Sequence, residues 1–212
     1  MVGRSVVLSD GGLASLVAAA AEIEAALATG DSSAPMPLMV EWPGVSRASS
    51  ASVRRQAEAL GLVVRDLPDS PEIESVGGRE ATALLHAAYL AMASGCGRVV
   101  WPVQFTTASP DGDCDLEREA IAVDRALLVS RLATLDAGSF GLPELRVETP
   151  FVGMTDHQLA ELALDLGVPV ECCEWWDAGR RAERERWTSA LSAAGWIPSE
   201  PTPRPVTRAG DG

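Results

Sequence analysis

Seven consecutive residues, Ser9-Asp10-Gly11-Gly12-Leu13-Ala14-Ser15, carry the clearest chemical potential in this 212-residue chain. They follow a short β-branched run, Ser5-Val6-Val7-Leu8, and precede an alanine-rich stretch with Leu13, Leu16, Val17 and Ala20 at helical spacing. A glycine pair ahead of a helix exposes backbone N–H groups that lack intrahelical acceptors, at the positive end of the helix dipole. Such a loop is a ready anion site. The carboxylate of Asp10 works against that use, because as an N-cap it takes those N–H groups and repels a phosphate. Other reactive side chains are sparse. His86 and His157 are the only histidines, and Cys96, Cys114, Cys172 and Cys173 show no paired spacing.

All 17 basic residues are arginine, and the chain has neither lysine nor asparagine. Without lysine there is no Walker A loop, no Schiff-base chemistry and no lysine general base. With 30 acidic residues the net charge is −13, which argues against nucleic acid held by charge. Arg180, Arg181, Arg184 and Arg186 alternate with Glu183 and Glu185, and read as a solvated helix face rather than an anion patch. No apolar run reaches the ~20 residues of a membrane span, and Ser9 to Gly12 interrupts what could pass for a signal peptide. The expectation is a cytoplasmic protein without disulfides, with a small-molecule or nucleotide partner and no nucleic-acid or membrane partner. A homodimer is compatible with this reading.

The elements that position the loop alternate. Strands are expected at 5–8, 37–41, 62–64, 98–103 and 145–147. Helices are expected at 13–27, 46–60, 79–93, 116–135, 155–166 and 180–194, with Gly61 and Gly167 as stops. Val170 to Trp176 reads as extended. This pattern predicts an α/β fold with a parallel sheet covered on both faces, a Rossmann-like three-layer sandwich in one domain over residues 1–197. A proline-rich tail, 198–212, reads as disordered. Ligands in such sheets bind at the carboxyl ends of the strands, which returns attention to the loop from Ser9 to Ser15.

Val6 to Ser15 resembles the Ser-Gly-Gly-Leu-Asp-Ser signature of the PP-loop ATP pyrophosphatases, which have an adenine nucleotide alpha hydrolase-like fold. Within them it is most similar to the 7-cyano-7-deazaguanine synthase family. Glu41-Trp42-Pro43-Gly44 with Ala57-Glu58-Ala59-Leu60-Gly61 resembles that family's second strand and following helix. Gly77-Gly78-Arg79-Glu80 is similar to its Pro-Gly-Arg-Asn, and Gly112-Asp113-Cys114 to its Pro-Asp-Cys. Thr149-Pro150-Phe151 through Leu166-Gly167-Val168-Pro169 resembles its Thr-Pro-Leu…Leu-Gly-Val-Pro block. The resemblance covers most of residues 4–198. It implies ATP, with magnesium, at Ser9, Asp10, Gly11, Gly12, Leu13 and Ser15, and substrate at Arg79, Asp113 and Cys114. The implied reaction adenylates a carboxylate and converts it with ammonia to a nitrile.

The departures from the pattern fall on the phosphate site, and no catalytic residue is assigned. Asp10 replaces the first serine of the signature, and Ala14 replaces its aspartate. Thr155-Asp156-His157-Gln158 stands where the family has Thr-Lys-Ala-Glu, so an acid replaces a phosphate-binding cation. At ~4 Å and an effective dielectric near 20, each such unit interaction is worth about 4 kcal/mol. The family's four-cysteine zinc cluster is missing: only Cys172-Cys173 occur there, beside Trp175, Trp176, Trp187 and Trp196. These four tryptophans read as an apolar mini-core in place of a zinc staple, with a base-stacking platform as the other reading. Three functions stay open: an ATP-dependent ligase with a rebuilt phosphate site, a PP-loop pseudoenzyme that binds or assembles, and an ATP pyrophosphatase acting on another substrate.

Overall fold

A computed structural model describes residues 4–30, 35–67, 75–105, 115–138, 144–176 and 180–197. Five strands form one parallel sheet: β1 (Ser5–Ser9), β2 (Leu38–Glu41), β3 (Val63–Asp66), β4 (Arg98–Val100) and β5 (Arg146–Glu148). Their spatial order is β3-β2-β1-β4-β5. The register aligns Val7 with Met39 on one side and with Val100 on the other, so β1 lies at the centre of the sheet. Strand order reverses between β1 and β4. This is the switch point at which crossovers leave a crevice beyond the carboxyl ends.

Six helices cover the sheet: α1 (Leu13–Leu27), α2 (Arg47–Leu60), α3 (Val76–Ala93), α4 (Leu116–Gly138), α5 (Asp156–Asp165) and α6 (Arg181–Ala193). Alternate residues of each strand point to opposite faces, and two cores follow. Val7, Met39 and Val100 face Leu16, Val53, Leu159 and Leu191 of α1, α2, α5 and α6. Val6, Leu8, Leu38 and Val40 face Leu84, Ala87, Ala126 and Ala133 of α3 and α4. The result is the expected α/β three-layer sandwich. Alanines on the buried faces allow helices to approach the sheet closely.

Several boundaries differ from the sequence reading. Gly77 and Gly78 are helical, because the Ser75 side chain caps α3 by accepting the Gly78 N–H. The fourth strand stops at Val100, three residues early; Pro102, which has no N–H to donate, follows directly. Val170 to Trp176 is not extended but forms two 3-10 turns, Val170–Cys172 and Glu174–Trp176. Both edges of the sheet carry charge: Arg65 and Asp66 end β3, and Arg146 and Glu148 bracket β5. The tail 198–212 lies outside the described residues.

Candidate functional site

The loop between β1 and α1 is held from below. Gly11 has φ +83°, and a Cβ there would lie 2.7 Å from the Ser49 carbonyl oxygen, so only glycine fits. Gln56 of α2, fully buried, donates from Nε2 to the carbonyls of Gly11 (2.9 Å) and Gly12 (3.0 Å). Its Oε1 accepts from the Ser9 hydroxyl at 3.3 Å. The Glu174 N–H also reaches the Gly11 carbonyl, at 2.9 Å, and ties the second 3-10 turn to the loop.

Asp10 does not stand at the N-cap position expected of it. Gly12 is the N-cap of α1, and Asp10 sits two residues earlier. Its Oδ1 accepts the Gly12 N–H at 2.8 Å and the Ser15 hydroxyl at 3.1 Å. The carboxylate therefore closes an Asx turn over the loop, and its exposed charge stands at the mouth of the N-terminus of α1.

Beyond the carboxyl ends of β1, β2 and β4 opens a cleft of about 310 Å³. Ser9, Asp10, Gly12 and Leu13 form one wall, while Gly11 and Ser15 are buried behind it. Trp42, after β2, and Trp101, after β4, lie parallel with centroids 6.0 Å apart and line the cleft together. Trp175 and Trp187 close the opposite side, with Glu174, Arg180, Glu183 and Arg186 among them.

The charged side chains of this wall hold one another. Asp156, the first residue of α5, accepts Arg186 Nε at 2.6 Å and Nη2 at 2.5 Å, a two-pronged pair, and accepts Gln104 Nε2 at 3.2 Å. The Asp156 hydrogen bonds raise the Arg186 pKa above its ordinary value, outweighing burial. Arg180 pairs with the buried Glu174 and, at 3.0 Å, with Glu183. Glu174 also accepts the Ser46 hydroxyl at 3.4 Å. Glu80, on α3, pairs with Arg125 of α4. Arg180 and Arg186 thus belong to the cleft, contrary to the solvated face read from their spacing. Arg181 does keep that character, bonded to Glu185 at 2.7 Å on the open surface.

The remaining expectations resolve unevenly. Arg79 is exposed on α3 beside the cleft-lining Glu80, and Asp113 and Cys114 lie outside the described residues. His157 is a surface residue, 3.4 Å from Glu161. Thr155 and Gln158 form a reciprocal capping box that starts α5 and aims Asp156. Cys173 is fully buried, and burial drives its thiol pKa far up, although the Gln56 amide opposes this. The Cys172 thiol is raised too, by burial first. Among the described residues no three His, Cys, Asp or Glu side chains gather as metal ligands. Trp175, Trp176 and Trp196 meet edge to face at 5.7 and 5.8 Å, forming the mini-core read from the sequence.

This set does not fit a magnesium triphosphate. Asp10, Glu80, Glu174 and Glu183 face the cleft against two guanidiniums, and both guanidiniums are already paired to carboxylates. Polyphosphate binding needs the opposite balance. No family model matches the chain, and no curated protein matches it.

Proposed function

We propose that this chain is a PP-loop-like pseudoenzyme: a module that binds a small nucleotide- or nucleoside-sized ligand in the cleft and does not split ATP. One observation carries the reading. Asp156, where the resemblance calls for a phosphate-binding lysine, grips Arg186 in two bonds, so a cation that could meet a phosphate is already neutralised. Asp10 adds an exposed carboxylate at the loop. The Trp42–Trp101 pair on the cleft wall and the modest volume suit a planar group.

Isothermal titration with Mg-ATP and with adenosine, followed by a pyrophosphate-release assay, tests this. The module predicts no pyrophosphate, and adenosine binding at least as tight as ATP binding. Saturable ATP turnover with pyrophosphate release sinks it.

That outcome supports the second reading, an ATP-dependent ligase of the 7-deazaguanine type. It is favoured by the position of the glycine loop at the switch point, with the N–H groups of Leu13, Ala14 and Ser15 in the first turn of α1. A 7-deazaguanine carboxylate that accelerates the release would identify it.

A further inference from the structure

Four of the chain's six tryptophans line the cleft, Trp42 and Trp101 beyond the strands and Trp175 and Trp187 on the opposite side. An indole attracts cations through the negative potential of its ring. One wall already shows this: the Arg186 guanidinium lies 4.7 Å from the ring centroid of Trp187 while Asp156 grips it in two bonds. A planar cation is held there by an indole and a carboxylate together. The other carboxylates of the cleft are not all answered. Glu80 is paired by Arg125, and Arg186 by Asp156. Arg180 alone stands against three acids: it pairs with Glu174 and, at 3.0 Å, with Glu183, and the charge of Asp10 acts on it as well. Asp10 has no ion pair among the described residues, and its hydrogen bonds there fall on Oδ1. The lining and its partners thus keep an excess of two negative charges. Segments 68–74, 106–114 and 177–179, outside the described residues, hold six acidic side chains and no basic one, so none of them supplies a cation.

We propose that the cleft selects a positively charged planar ligand, a nucleoside whose base is itself a cation, over its neutral and anionic counterparts. This rests on the reading of the cleft as a nucleoside-sized site and adds the sign of the ligand's charge. A neutral base leaves the excess charge of the walls in place, and a phosphate adds to the repulsion. A cation cancels the excess and gains the indole walls as well, in a recess where charges are screened less than on the open surface. Planarity follows from hydration. A delocalised planar cation is more weakly hydrated than a compact ammonium, so it gives up less on leaving water for an aromatic site.

Calorimetric titration of the full chain with two isomers separates charge from shape: 1-methyladenosine, cationic at neutral pH, and N6-methyladenosine, which is neutral. The cation is expected to bind about tenfold more tightly. Raising salt from about 20 to about 200 mM should narrow that gap about threefold. Asp10→Asn keeps an acceptor for the Gly12 N–H and the Ser15 hydroxyl while removing the charge. Combined with Glu183→Gln, it should bring the two isomers to within about twofold of each other, with circular dichroism unchanged. The salt series on wild type decides the matter if that variant fails to fold. Equal binding of the isomers, or a gap that ignores salt, overturns the proposal and leaves the nucleoside site standing, whereas binding of neither overturns both. A folded double variant that keeps the full preference also overturns it. So does tetramethylammonium bound as tightly as 1-methyladenosine, since charge alone would then suffice.

Discussion

Gly11, Gln56 and Asp156 each hold one part of the cleft, and each can be tested alone. Gly11→Ala forces a left-handed φ on a residue whose Cβ meets the Ser49 carbonyl. It should destabilise by about 2 kcal/mol or more, measured by urea unfolding. Gln56→Ala removes the donor shared by Gly11 and Gly12 and leaves a void beneath the loop. The expected cost is about 2–3 kcal/mol, with ligand affinity in the cleft falling in parallel. Asp156→Asn loosens the grip on Arg186 and is expected to raise affinity for inorganic pyrophosphate about tenfold by titration. Asp156→Lys, the change that restores the family's residue, should instead lower the melting temperature, because it sets a lysine against Arg186 at a helix N-terminus. The loop residues were legible in the sequence because glycine pairs and caps are local signals. Gln56 was not: a glutamine inside an amphipathic helix says nothing about a partner 45 residues away. Arg186 misled for a related reason, since alternation with glutamate records spacing and not which face turns inward.

At the scale of elements, the segment from Val170 to Trp196 stands on aromatic packing. Trp175 is 1% exposed, with Trp187 and Leu191 buried beside it in the same core. Trp175→Ala should cost roughly 3–5 kcal/mol, whereas incubation with a chelator should leave the melting temperature unchanged. The cysteines give an independent reading of the same packing. The thiol pKa of Cys173 is raised by burial, and that of the half-buried Cys172 less completely. A disulfide reagent at pH 8 should therefore label Cys172 before Cys173, with Cys173 reacting only on unfolding. Helices were readable from periodicity because they are long. The two 3-10 turns were not, since a short apolar run fits a strand or a turn equally well and the choice is made by tertiary packing. Ser75 shows the converse: a single capping hydroxyl drew two glycines into α3 against their propensity.

For the whole molecule, alternation of strands and helices was enough to specify a parallel sheet with both faces covered. The spatial order β3-β2-β1-β4-β5 was not written in any one segment, because it depends on which face each crossover takes. The cleft inherits that order: its walls come from β1, β2, β4 and the far end of the chain. Its chemistry was therefore visible only in fragments. A net charge of −13 surrounds a cleft whose own carboxylates outnumber its cations. Phosphate-bearing ligands should accordingly bind more tightly as salt rises from low to physiological strength, while uncharged nucleosides should be insensitive, a comparison that titration at two ionic strengths decides.

The charged ends of the two edge strands carry a further consequence. A parallel sheet with bare margins invites strand addition and fibre growth, yet here Arg65 and Asp66 stand on one margin and Arg146 and Glu148 on the other. Each newcomer strand would have to strip water from these ions before gaining a backbone bond. Heated samples should accordingly precipitate, if at all, without the dye-binding signature of cross-β fibres.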